Sequence, residues 1–209
     1  MQDYHTVFPT RGHEARGAGQ RRRWLYCAGW LVLSLACASV RPAHAQQGSD
    51  AGVINREYPL KALFLYNFGS YVEWPPDAFS SGQAPFVIGV LGSAPLERTL
   101  AGLAATKTIA GRQILVESFS SVEEIKACQI LFIARNVDVR QQRQAVEKLR
   151  NRRVLIVGES VGFAGQGGSV NFFIESNKIR FEINPDTVKQ QELKISSKLL
   201  SLAKIVGDN

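Results

Sequence analysis

The chain alternates between two kinds of apolar pattern, and the alternation predicts its architecture. From Glu57 to Trp74 apolar residues fall at helical spacing, with Leu60, Phe64, Phe68 and Tyr71 on one track and Leu65 and Val72 beside it. Pro59 suits a first helical turn, and Pro75 with Pro76 stops the helix. "PFVIGVLG" (Pro85–Gly92) is then a continuous apolar run, as expected of a strand buried on both faces, and "APLERTLAGLAAT" returns to helical period. "GRQILVESF", "QILFIA" and "RVLIVG" predict three further strands. Between them lie a short helix over Val122–Ala127, opened by the capping-box pair Ser121 and Glu124, and a charged amphipathic helix over Val139–Asn151.

Past Gly158 the period changes to two. Val170, Phe172 and Ile174 alternate with Asn171, Phe173 and Glu175; Ser176, Asn177 and Lys178 turn the chain; Ile179, Phe181 and Ile183 alternate with Arg180, Glu182 and Asn184. That is the pattern of an antiparallel hairpin. From Pro185 a final helix is expected, its stripe running through Val188, Glu192, Ile195, Leu199, Leu202 and Val206. Together these elements predict an α/β fold: a mixed sheet of about six strands, with a parallel core and a C-terminal antiparallel hairpin, flanked by helices on both faces.

The N-terminal pattern has a different meaning. Arg21, Arg22 and Arg23 precede an apolar run from Trp24 to Val40 and then "AHA" at Ala43–Ala45, the form of a secretory signal peptide cut after Ala45. The run falls short of the roughly 20 apolar residues that a spanning helix needs. Residues 1–45 are therefore expected to be a cleaved leader, 46–56 a flexible segment rich in Gln, Gly, Ser and Asp, and 57–209 one domain. "RRRWLY" (Arg21–Tyr26) resembles a twin-arginine export signal, and "SLAC" ending at Cys37 resembles a lipoprotein signal with Ser34 where a larger aliphatic residue is usual. Export by the Sec or the twin-arginine route is open on these residues, and both lead to the periplasm.

That cut changes how composition is read. The formal net charge of +7 owes much to Arg11, Arg16, Arg21, Arg22, Arg23 and Arg41 in the leader, so the remaining domain is only mildly basic and no nucleic-acid partner is expected. His5, His13 and His44 all precede the cut. A chain without histidine has no Ser-His or Cys-His nucleophile pair and no histidine-ligated zinc, so no enzyme, cofactor or metal is expected. Cys27 and Cys37 are also in the leader; Cys128 alone follows it, beside an apolar run where a buried, inert thiol is expected.

Five glycines between Gly158 and Gly168 raise the question of a phosphate cradle. Such a cradle feeds a helix N-terminus, whereas Gly162, Gly165, Gly167 and Gly168 feed a strand, and the Lys-Ser/Thr ending of a P-loop is missing. The loop is a turn, and as a surface loop it is a candidate recognition element, with Phe163, Gly167 and Gly168 in it and Glu175 and Arg180 on the hairpin beyond. "SLAK" (Ser201–Lys204) has Ser-x-x-Lys spacing without the partner motifs of penicillin-recognising enzymes. "RNRR" (Arg150–Arg153) reads as the cationic end of a helix. Glu73 and Trp74, at the end of the aromatic helix, are candidates to line a small ligand groove.

Several stretches together resemble the YfiR family of exported proteins: "KALFLYNFGSYVEWP" (Lys61–Pro75), "IGVLG" (Ile88–Gly92), "CQILFIA" (Cys128–Ala134), "VLIVGES" (Val154–Ser160), "GGSVNFF" (Gly167–Phe173), "RFEIN" (Arg180–Asn184) and "LKISSKLLSLAKIV" (Leu193–Val206). The resemblance implies a periplasmic α/β protein, often a homodimer. It would bind the periplasmic sensor domain of an inner-membrane diguanylate cyclase and hold it inactive, lowering cyclic di-GMP and biofilm formation, until an outer-membrane lipoprotein sequesters it. Some members stand beside other membrane signalling proteins, so a small-ligand-binding module serving a receptor such as a histidine kinase is the alternative. With Cys128 alone, the chain departs from the disulfide-bearing pattern of the family, which argues against intramolecular redox sensing here.

Overall fold

A computed structural model describes residues 50–92 and 94–207, with side chains from Arg56 onward. The expected leader 1–45 and its histidines and cysteines lie outside the described residues. The elements in order are α1 (Asp50–Tyr71), β1 (Val72–Glu73), β2 (Phe86–Leu91), α2 (Leu96–Ala104), β3 (Thr108–Ile109), β4 (Arg112–Phe119) and β5 (Ile130–Ile133). They continue with α3 (Val139–Lys148), β6 (Leu155–Gly158), β7 (Val170–Glu175), β8 (Lys178–Ile183), α4 (Pro185–Gln190), β9 (Lys194–Ile195), α5 (Ser197–Leu200) and β10 (Lys204–Ile205).

Among the described residues the main sheet has eight strands in the order β10-β8-β7-β6-β5-β2-β4-β3. Strands β7, β6, β5, β2 and β4 run parallel, β8 closes the hairpin antiparallel to β7, and β10 lies parallel to β8. The expected α/β class, parallel core and hairpin are present, and the short edge strands β3 and β10 raise the count above six. Side-chain alternation divides the core into two layers. Phe86, Ile88, Val90, Ile130, Phe132, Leu155 and Val157 face α1, α2 and α5, while Val87, Leu91, Leu131, Ile133 and Ile156 face Ala145 of α3 and Leu149 just past its end. Helices therefore cover both faces.

Helix α1 begins ahead of Glu57, within the segment expected to be flexible, and Pro59 lies inside it. Its buried face is also turned relative to the expected stripe: Ala62, Leu65, Phe68 and Val72 are buried, whereas Leu60 and Tyr71 are exposed. The hairpin sets that rotation. Phe68 packs 5.8 Å from Phe172 and 5.2 Å from Phe181, and Phe64 lies 5.4 Å from Phe181, ring centre to ring centre. Each such ring removed from water contributes about 1.5–3 kcal/mol.

Two expected helices are absent. The Val122–Ala127 segment is a series of turns, pinned by Val122 and Ile125 in the α3-side core. Glu124 does reach back to the Ser120 N–H at 2.9 Å, but Lys148 Nζ takes the Val122 and Glu123 carbonyls, and so short a run does not pay helix nucleation unaided. The long final helix is broken into α4, β9, α5 and β10. Asn184 and Ser196 each cap a new start with their side chains, and Glu192 takes a positive φ of 57° between them. The reason is tertiary: β9 pairs with β1, Val72 opposite Ile195 and Glu73 opposite Lys194, and the Ser196 N–H donates to the Tyr71 carbonyl. Ladder bonds to the end of α1 replace the helical ones.

Candidate functional site

The carboxyl ends of parallel strands are where open α/β sheets present their loops for binding. Here two adjacent strands each deliver a charge at that end: Arg135 just past β5 and Glu159 just past β6. Helix α1 lies over them and adds Glu57 and Lys61, four apart and so on one face. Lys61 is 1% exposed and is held between the Glu57 and Glu159 carboxylates. Half-exposed Arg135 completes the group, its guanidinium 2.5 Å from Glu57 and 3.1 Å from Glu159, while its backbone N–H donates to Glu159 at 2.8 Å.

Two carboxylates and two cations balance, which is the condition for holding charges in a low-dielectric interior. Burial by itself pushes the Glu159 carboxyl up, but the Lys61 charge and hydrogen bond, with the Arg135 backbone and guanidinium donors, hold it below the usual carboxylate range. Burial lowers the Arg135 guanidinium and its hydrogen bond and charge contact with Glu159 outweigh that, leaving it raised. The Tyr58 phenol is pushed up by burial and then by the Glu159 charge.

This network floors a groove of about 480 Å³. Ser160, Val161, Phe173 and Ile174 form its walls, and Val161 is 99% and Ile174 48% exposed. The groove thus sets exposed apolar side chains beside the Lys61, Arg135 and Glu159 ion network. Asn171, also lining the groove, donates to Glu182 at 3.1 Å, and its Oδ1 is buried without a hydrogen-bond partner.

The residues singled out in the sequence divide among several places. Phe163 is buried in the α3-side core. Its ring fills the space that a side chain at Gly158 or Gly168 would occupy, which explains two of the five glycines; Gly167 explains a third with a φ of 96°. Glu175 and Arg180 lie exposed near the hairpin turn, 3.8 Å apart, adjoining Phe173 and Ile174 of the groove. Glu73 is exposed and 3.9 Å from Lys194. Trp74 donates its indole N–H to the Gly69 carbonyl at 3.0 Å and packs edge-on to Phe86, so it belongs to the core rim, and neither residue lines the carboxyl-end groove. Ser201 and Lys204 do not share a helix: the Ser201 hydroxyl donates to Lys198, and Lys204 lies on β10 by Glu182. Glu57, Lys61, Arg135 and Glu159 were not singled out for a site. The available signals were the four-residue spacing of Glu57 and Lys61 and a charged residue directly after each of two buried apolar runs.

Residues 58–204 match the family model described as YfiR/HmsC-like. The chain belongs to this family. Membership points to a regulatory, non-catalytic role in the periplasm within diguanylate cyclase signalling. No helix among the described residues is long and apolar enough to cross a membrane. The curated proteins contain no match. Among solved structures, the ABC domain in complex with L-Trp from Streptococcus pneumonia is similar over 63% of this chain and 58% of that one, at 12% identity and a TM-score of 0.44. The chain thus spans less than two thirds of that structure, and a likeness so distant says nothing of ligand or role.

Proposed function

We propose that this protein binds the periplasmic sensor domain of an inner-membrane diguanylate cyclase through its carboxyl-end groove and holds the cyclase inactive, lowering cyclic di-GMP and biofilm formation. The observation that supports this most directly is the groove itself, in a chain of this family: Val161 and Ile174 stand in solvent at its walls, over the ion network of Lys61, Arg135 and Glu159. Glu175 and Arg180 extend the surface along the hairpin, whereas Gly167 and Gly168, packed by Val146 and the Phe163 ring at the other end of β7, do not contribute to it. Repression requires that this surface bind the inactive conformation of the receptor more tightly than the active one, and the shift is limited to that difference. Sequestration by an outer-membrane lipoprotein would then release the cyclase by competing for the repressor.

The test is cellular cyclic di-GMP in a strain lacking the gene, complemented with the parent protein or with Val161→Asp or Ile174→Asp. Val161 is almost fully exposed, so Val161→Asp should leave folding stability within about 0.5 kcal/mol, while Ile174→Asp, within β7 opposite Ile179, should cost about 1 kcal/mol and leave the protein folded. Deletion is expected to raise cyclic di-GMP, the parent to restore it, and the Asp variants to fail. Full restoration by both variants would move the interface elsewhere, and no rise on deletion would end the repressor reading.

A further inference from the structure

At the opposite, amino-terminal end of the sheet, a second cavity of about 480 Å³ opens where the chain enters β5 and β6. Its charge is one-sided. Lys126, Lys148, Arg152 and Arg153 line it against a single acid, Asp77. Asp77 is bound to Arg153 at 3.0 Å, and Arg153 also reaches Glu192 at 2.7 Å. Among the described residues Lys126 and Arg152 have no acidic partner within ion-pair distance, and Arg153 Nε is buried with no hydrogen-bond acceptor. An unmatched guanidinium N–H beside two uncompensated cations is the arrangement that an anion would complete.

Apart from Ser80 the rest of the lining is apolar, with Phe79, Ile125 and Leu149 forming the body of the cavity. Its rim is held in place before any ligand arrives. Gln129 ties the sheet to the rim turn by accepting from the Val87 N–H at 2.7 Å and donating to the Ala78 carbonyl, while Arg112 stacks 3.8 Å over the Phe79 ring and donates to the Ala84 carbonyl at 2.6 Å. The carbonyls at the end of α3 do not oppose an anion freely: the Leu149 carbonyl already accepts from Gln191 and from the Arg152 N–H. A rigid pocket of this size with an apolar body and convergent cations has the attributes of a small-molecule site.

We propose that this cavity binds a small organic anion, a phosphate monoester or a carboxylate with a compact apolar body, whose charged end meets Lys126, Arg152 and Arg153. It is separate from the carboxyl-end groove and does not depend on the identity of any protein partner. Calorimetric titration of the purified protein at low salt with phenyl phosphate and with benzoate tests it, with benzyl alcohol as the neutral control. One-site binding of either anion is expected, and which of the two binds distinguishes phosphate from carboxylate. Lys126→Glu and Arg152→Glu, both exposed, should each weaken it at least about tenfold, since each removes a charge-assisted contact and sets a repelling carboxylate in its place, while Lys178→Glu on the distant hairpin should not. No heat from either anion, equal binding of benzyl alcohol, or affinity indifferent to both Glu substitutions would overturn the proposal. The Arg153→Gln variant gives a second reading, since loss of its Nε–H should weaken anion binding even where fold and net surface charge elsewhere are intact.

Discussion

Lys61 on α1 and Glu159 past β6 are 98 residues apart in the chain and form a buried ion pair at the carboxyl end of the sheet. Through that pair the first helix is tied to the strand end that carries the groove wall at Ser160 and Val161. Loosening one therefore bears on both stability and the proposed contact surface.

Removing Lys61 leaves the Glu57 and Glu159 carboxylates sharing the half-exposed Arg135 guanidinium as their one remaining cation in the network. Lys61→Met should lose about 3 kcal/mol, since two buried carboxylates then share a single charge. Lys61→Met combined with Glu159→Gln should lose less than Lys61→Met alone, measured by urea denaturation. A double variant less stable than the single would mean that the network is not the coupling unit.

The Glu159 carboxyl also predicts an acid dependence. Its folded value lies below the ordinary 4.5 that it regains on unfolding, so the unfolded chain binds the extra proton first. The stabilisation is present above the unfolded value and is lost as pH falls through the folded one. Stability of the parent should decline from about pH 5 downward, and Glu159→Gln should flatten that limb. Parallel acid limbs in the two proteins would contradict the assignment.

Phe163 should behave as a core residue. Phe163→Ala should cost about 3–5 kcal/mol, and Gly168→Ala should also destabilise, because its new methyl group meets the Phe163 ring. Thermal unfolding separates this from a contact role: a partner residue at the surface would lose binding with an unchanged midpoint.

What was legible in the sequence, and what was not, differs by element in a physical way. The strands β2, β5 and β6 stood out because a run such as Ile130–Ile133, buried on both faces, must be apolar at every position. The hairpin stood out because its period of two is local. The family was legible from motifs spread along the domain, since those motifs are the same core and turn residues. Helices over Val122–Ala127 and beyond Gln190 were misread, because helical spacing there competes with contacts that spacing does not contain: the Lys148 ammonium on the Val122 carbonyl, and β1 waiting to pair with Lys194 and Ile195. Likewise Phe163 looked like a surface residue among glycines until the backbone folded Gly158 and Gly168 around it.

By itself the sequence determined the class of fold, the order and direction of its central elements, and the family, all of which follow from local periodicity and short motifs. Tertiary structure alone decided which face of α1 is buried, that Glu57, Lys61, Arg135 and Glu159 converge, and that Lys126, Arg152 and Arg153 meet around one cavity. The reason is that a charge reads the same in sequence whether it is solvated or buried. Only the approach of a partner far along the chain determines which it becomes.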